Sequence, residues 1–196
     1  MNHPFMLAIT KALATEGIAT LRYQFPYMES GRKRTDSPHL CHATVRAAVA
    51  AARRLGRQLP LFAGGKSFGG RMTSQAQAAS PLPDVRGLIF LGFPLHPAKR
   101  PSDDRGRHLL EVSIPMIFLQ GTRDALAEPK LMRRLIRRMS RRARLTSIQH
   151  ADHSFHAPVR SGRTDDDIQH ELAAAISTWL LPLAGCSKID QLNPSR

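Results

Sequence analysis

Leu59-Pro60-Leu61-Phe62-Ala63-Gly64-Gly65-Lys66-Ser67-Phe68-Gly69-Gly70-Arg71-Met72 decides how the rest of the chain is read. The stretch opens as a short apolar run of strand type and passes through Gly65-Lys66-Ser67-Phe68-Gly69. It continues into Met72 to Ala79, which has neither proline nor glycine and reads as helix. Ser67 is thereby placed on a strand-to-helix turn. Such a turn strains the serine backbone, so the residues two before and two after it are expected to be very small, and Gly65 and Gly69 occupy those positions. The hydroxyl then projects past the end of the sheet. The amides that follow it, at a helix N-terminus, point to where a negative oxygen would form. This is the physics of a nucleophile elbow.

Two other readings compete for the same letters. Gly65-Lys66-Ser67 after a strand also looks like the end of a phosphate-binding loop, but that motif needs a glycine five residues earlier, where Pro60 stands. Proline has no N–H to offer a phosphate. A glycine-rich turn with no chemistry is the second alternative, and it is weighed by what the later strands carry.

Outward from the elbow, the chain alternates between helical and strand patterns. Phe5, Ile9 and Leu13 recur at helical spacing and predict a helix over residues 4–16, closed by Gly17. Residues 18–25 alternate and predict a strand ending at Pro26, followed by a polar loop to Pro38. An alanine-rich helix is expected over 39–55. Beyond the elbow helix, residues 85–93 form a continuous apolar run of the kind found in a doubly covered strand. A charged loop over 94–113 has room for one short helix near Ser102 but not for a cap domain. Strands at 114–120 and 144–149 and helices at 128–140 and 166–180 complete the pattern. The expected architecture is a single α/β domain over residues 1–183 with a mostly parallel sheet, the elbow strand central in it, and a tail over 184–196.

A nucleophilic serine needs a base and a group to orient that base, both at the ends of later strands. Asp124 follows one strand in Gly121-Thr122-Arg123-Asp124, and His153 follows the last in Asp152-His153-Ser154-Phe155. In an open parallel sheet the carboxyl ends of the strands share one edge, so residues 67, 124 and 153 can converge. Ser67 is then the nucleophile, His153 the base, Asp124 its orienting acid, and the Phe68 N–H an oxyanion donor. Alone, Asp124 also suits a cap for the helix beginning near Glu128. His150, His153 and His156 are dense enough to raise a metal site, but loop spacing fixes no geometry. The expected chemistry calls for no cofactor.

With these segments assembled, the sequence resembles small α/β-hydrolases of the dienelactone-hydrolase-like kind, particularly the group related to the testis-expressed hydrolase-like protein and the third subunit of the NSL chromatin complex. The matching segments are His3-Pro4-Phe5-Met6, Leu21-Arg22-Tyr23-Gln24-Phe25-Pro26-Tyr27, the elbow through Met72, Phe93-Pro94-Leu95-His96-Pro97, Gln120-Gly121-Thr122-Arg123-Asp124 and Ala151-Asp152-His153-Ser154-Phe155. The resemblance implies a serine hydrolase acting on a small acyl substrate. It also implies a preceding strand and a His-Gly-rich loop supplying a second oxyanion amide, directly before the segment matching Asn2-His3-Pro4. The expectation is that Met1 is an internal methionine or that the hydrolase is truncated and impaired, with an unsatisfied sheet edge where that strand belongs.

Charge and composition set the remaining expectations. Lys and Arg outnumber Asp and Glu by 29 to 15, a net charge of +14, which raises anionic partners and supports the alternative of a hydrolase-fold module binding an acidic partner such as nucleic acid. Arg133, Arg134, Arg137, Arg138, Arg141 and Arg142 read as a solvated helix face, with no interleaved aromatic residues on which bases could stack. Lys66 and Arg71 lie beside the elbow and could receive an acidic substrate group. Cys41 and Cys186 are far apart and outside any C-x-x-C, which suits free thiols in a reducing, cytoplasmic setting. No stretch approaches the roughly 18 apolar residues of a membrane span.

Overall fold

The computed structural model describes residues 3–185. The tail expected over 184–196 therefore lies almost wholly outside the described residues. Four strands, β1 (Leu61–Lys66), β2 (Val85–Leu91), β3 (Met116–Gly121) and β4 (Ala143–Ile148), form one sheet in the order β1-β2-β3-β4, and every pairing is parallel. Each strand must return to the same edge before the next begins, so the connections are crossovers: α4 (Phe68–Ala79), a 3₁₀ helix (Asp104–Glu111) and α5 (Pro129–Arg138). Before β1 come α1 (Pro4–Thr15), α2 (Pro26–Glu29) and α3 (Pro38–Leu55), and α6 (Asp165–Ala184) closes the described chain.

Side-chain alternation along the strands builds a core on each face of the sheet. Leu88, Phe90, Met116 and Phe118 point to one face, where Cys41, Val45 and Val49 of α3, Met72 and Ala76 of α4, and Met132 and Leu135 of α5 cover them. Leu91, Ile117 and Leu119 point to the other, against Phe5, Ile9 and Leu13 of α1 and Ile168, Leu172, Ile176 and Trp179 of α6. The rings of Phe90, Phe93 and Phe118 lie 4.6 to 5.8 Å apart at the centre of the first core. Truncating any of them to alanine costs about 3–5 kcal/mol.

The helix ends follow their sequences. Ser37 accepts the Leu40 N–H with Pro38 at the first helical position of α3. Thr164 and Asp167 form a reciprocal capping box at α6, with Asp165, Asp166 and Asp167 in its first turn, where carboxylates oppose the helix dipole favourably. α6 runs past its expected end at residue 180 and carries Pro182 inside it. α4 starts at Phe68, four residues earlier than proline and glycine content suggests, because Gly69 and Gly70 are held in the helix by the elbow.

Two expectations are corrected here. Residues 18–25 do not form a strand, and the chain then turns into the short helix α2. Their alternation is present, but a strand exists only through a hydrogen-bonded neighbour, and among the described residues β1 pairs only with β2. Consequently β1 stands at the edge of the sheet formed by the described residues rather than at its centre. Between residues 18–23 and β1 lies a slot of about 1030 Å³, bordered by Ile18, Leu21, Tyr23, Leu61, Ala63 and Leu180.

Candidate active site

Ser67 joins β1 to α4 with φ 51° and ψ −117°, a backbone conformation that costs a non-glycine residue on the order of 1–3 kcal/mol. Its N–H is held by the Leu91 carbonyl at 3.0 Å, and its carbonyl accepts the Arg71 N–H at 3.2 Å, so the surrounding structure fixes the strained turn from both sides. The close approach that makes the turn possible is between Gly65 and Gly70. A Cβ on Gly70 would stand 2.7 Å from the Gly65 carbonyl oxygen, and one on Gly65 would meet the Gly70 nitrogen at 3.0 Å. A Cβ on Gly69 would meet nothing within 4 Å, so the glycine required after the serine is Gly70, not Gly69.

Ser67, His153 and Asp124 are brought together from three strand ends. His153 Nε2 lies 2.8 Å from Ser67 Oγ, and His153 Nδ1 lies 2.7 Å from Asp124 Oδ2. The Asp124 side chain is fully buried, while that of His153 is 24% exposed, so the imidazole has one side sealed and one open to a ligand. Asp124 does not cap α5, whose N-cap is Glu128. Its Oδ1 instead accepts the Leu126 N–H at 2.8 Å, and Oδ2 also receives the Gln120 amide. Phe68 is the first residue of α4, so its N–H has no intrahelical carbonyl to reach.

The loop carrying His153 is built to present it. Asp152 Oδ1 accepts the N–H groups of Ser154 and His156, folding the loop so that His153 stands at its tip. The loop packs directly onto the end of β3, where a Cβ on Gly121 would stand 2.4 Å from the Ala151 oxygen. Phe155 is buried and stacks on Phe5 of α1 at 5.3 Å. Lys66 donates from Nζ to the His153 carbonyl at 2.8 Å, with the rings of Phe5 and Phe155 at 4.9 and 5.5 Å. Burial pulls the Lys66 pKa down, with Asp124 and Asp152 acting in the opposite direction. Lys66 is thus spent on holding the histidine loop and is not turned toward a substrate.

His156 pairs with Asp165 at 2.8 Å, so it does not converge with His153. Two arginines of the basic run are also engaged: Arg134 pairs with Asp103 at 2.9 Å, and Arg142 donates to the Val112 and Leu110 carbonyls. Gln120, Asp152 and Lys66 stand inside the motif segments, but their roles in holding Asp124 and the His153 loop are not legible there, because the partners they bond lie on other parts of the chain or on the backbone.

A parallel sheet covered by helices on both faces, with a serine on a strained strand-to-helix turn, is the architecture of the α/β hydrolases. The chain belongs to the alpha/beta hydrolase domain family, whose model matches residues 1–181. Among solved structures it is similar to an alpha-beta serine hydrolase homologue from Coxiella burnetii, with a TM-score of 0.70 and 19% identity over 90% of this chain and 77% of that one. A dienelactone hydrolase from Anabaena variabilis matches with a TM-score of 0.68 and 19% identity over 91% and 79% of the two chains. A serine hydrolase without a lid from Xanthomonas campestris gives 0.66 and 21% over 89% and 73%. At these identities the likeness is one of fold. No helix among the described residues is long and apolar enough to cross a membrane.

Proposed function

We propose that the protein is a serine hydrolase acting on carboxylic esters or related acyl compounds, with Ser67 as nucleophile, His153 as general base and acid, and Asp124 as the group that orients the imidazole. The observation that carries this reading is the continuous hydrogen-bonded line from Asp124 Oδ2 through His153 to Ser67 Oγ, ending on the strained turn. The sequence motifs support a place in the dienelactone-hydrolase-like group, near the testis-expressed and NSL-complex relatives.

Ser67 Oγ attacks the acyl carbon as His153 Nε2 takes its proton, and the carbonyl oxygen becomes an oxyanion that accepts the Phe68 N–H at the positive end of α4. Asp124 holds Nδ1–H and stabilises the imidazolium from a fully buried position. Collapse of the tetrahedral adduct breaks the ester bond, and His153 gives its proton to the departing alcohol. A water then repeats the attack on the acyl-serine with His153 as base, which releases the acid and restores the Ser67 hydroxyl.

Hydrolysis of short-chain p-nitrophenyl esters tests the reading. Ser67→Ala and His153→Ala are each expected to lower kcat by about a thousand-fold or more. Turnover by either variant within a few-fold of the parent protein rules the assignment out.

A further inference from the structure

Charge is divided between the two helical layers that cover the sheet. α3, α4 and α5 share one core, and together they carry nine Lys and Arg side chains and no Asp or Glu. α1 and α6 share the other core, where Lys11 stands against Asp165, Asp166, Asp167 and Glu171. Among these five helices, the excess positive charge therefore lies on one side of the sheet and the excess negative charge on the other. A field of that shape steers a polyanion onto one face of the molecule.

α5 holds five of the nine cations. Its Met132 and Leu135 are buried in the core, which leaves Lys130, Arg133, Arg134, Arg137 and Arg138 exposed. Arg141, in the turn after the helix, and Arg144 on β4 are exposed as well. Arg134 pairs with Asp103, but among the described residues no ion pair reaches Arg133, Arg137, Arg138, Arg141 or Arg144. Like charges one turn apart destabilise a helix, and Arg133 with Arg137, and Arg134 with Arg138, stand at that spacing. A bound polyanion turns this repulsion into attraction.

The chemistry of the face distinguishes among polyanions. A helix lying in a membrane interface sinks apolar side chains into it, but the exposed large apolar residues among those described, Leu21, Met28, Leu40, Leu55, Leu59 and Val159, all lie outside α5. Single strands are held by bases stacked on aromatic side chains, and none occurs between Pro129 and Ile148. All but one of the exposed cations here are arginines, whose planar fork matches two phosphate oxygens at once. Arginines four residues apart are separated by about 6 Å along the helix axis. That is close to two phosphate steps of about 3.4 Å on one strand of a duplex. We infer that α5 and the start of β4 form a docking surface for double-stranded nucleic acid, held through its phosphate backbone without reading its sequence. α5 returns from the sheet edge that carries Asp124 to the start of β4, so Arg137, Arg138 and Arg141 stand toward the edge opposite Ser67, and a bound duplex leaves the hydrolase site open. The inference goes beyond the hydrolase reading and does not depend on it.

Fluorescence anisotropy of the full chain with short labelled DNA duplexes of two unrelated sequences tests the surface. Both duplexes are expected to bind equally, with an affinity that falls by about a hundred-fold between roughly 50 and 200 mM salt, as neutralising about four phosphates requires. The triple variant Arg133→Gln, Arg137→Gln, Arg141→Gln should weaken binding by about ten-fold or more at the lower salt and flatten the logarithmic salt slope by about 0.9 per arginine. Lysine at the same three positions should keep the slope, because the charge is unchanged. A second triple variant, Lys11→Gln, Arg100→Gln, Arg160→Gln, removes the same charge from exposed positions outside α5 and β4 and should leave the slope as in the parent protein. Equal weakening by the two glutamine triples, or no saturable duplex binding at the lower salt, overturns the inference. Tighter binding of a single strand, or of phosphatidylserine-containing vesicles, than of the duplex overturns it too. Duplex binding of the expected kind without turnover of any ester retains this surface and removes the hydrolase reading instead.

Discussion

Gln120, the penultimate residue of β3, donates its side-chain amide to the buried carboxylate of Asp124, on the same Oδ2 that faces His153 Nδ1. The other end of the Gln120 amide is equally committed, because its Oε1 accepts the Phe93 N–H at 2.9 Å. Gln120 is therefore a positioning residue that ties the acid to the chain leaving β2. Gln120→Met keeps the bulk and removes both bonds. It is expected to reduce kcat by about ten-fold or more with KM nearly unchanged, since a bond to a buried charge is lost at the acid and no substrate contact is touched. A rise in KM at constant kcat would assign Gln120 to substrate binding instead.

Gly69 and Gly70 should separate cleanly by mutation. Gly70→Ala drives a Cβ against the Gly65 carbonyl and the Phe90 ring, with 2.7 and 3.1 Å available, so stability should drop by about 2 kcal/mol or more. Gly69→Ala enters open space inside a helix and should stabilise by about 0.5–1 kcal/mol. Denaturant unfolding of the two variants measures both, and equal destabilisation would show that the elbow packs differently.

His108 supplies a pH signature away from Ser67. Its Nε2 lies 2.8 Å from Ser74 Oγ, and burial, then Arg71, then His42 push its pKa down from 6.5 to about 4. The unfolded chain takes up the proton first as pH falls, so the contribution of neutral His108 is complete above pH 6.5 and is lost progressively toward about pH 4. The unfolding midpoint should fall across that window, and His108→Gln should flatten the fall. An identical pH dependence in the variant would contradict the assignment.

The slot beside β1 predicts uneven protection. β1 has a strand neighbour on one side, whereas β3 is paired on both. Hydrogen exchange followed by mass spectrometry should show residues 59–66 exchanging faster than residues 116–120 under native conditions. Equal protection would mean that the free edge of β1 is covered in solution.

How much of this was legible in the sequence depends on what each signal encodes. β2 and β3 announce themselves because a strand covered on both faces is apolar at nearly every position, as in Ile117-Phe118-Leu119. The elbow is legible because Ser67 needs a small neighbour on each side. Alternation over residues 18–25 records two chemically different faces but not whether a partner strand stands alongside, and among the described residues none does. Gly70 was missed in favour of Gly69 because a spacing rule counts residues, whereas the clash depends on which way a helical Cβ points. Gln120 and Lys66 stand inside recognisable segments, but their positioning roles are not legible there, since the chain segments they hold, at Phe93 and His153, come from distant parts of the sequence.

The central claim is that Ser67 is a nucleophile activated by His153. A fluorophosphonate probe, followed by peptide mass mapping, tests it most directly. The account predicts a single adduct on the peptide carrying Ser67, formed at a rate that falls by about a hundred-fold or more in His153→Ala and absent from Ser67→Ala. An adduct on another residue, or labelling of Ser67 that proceeds equally fast without His153, would contradict it.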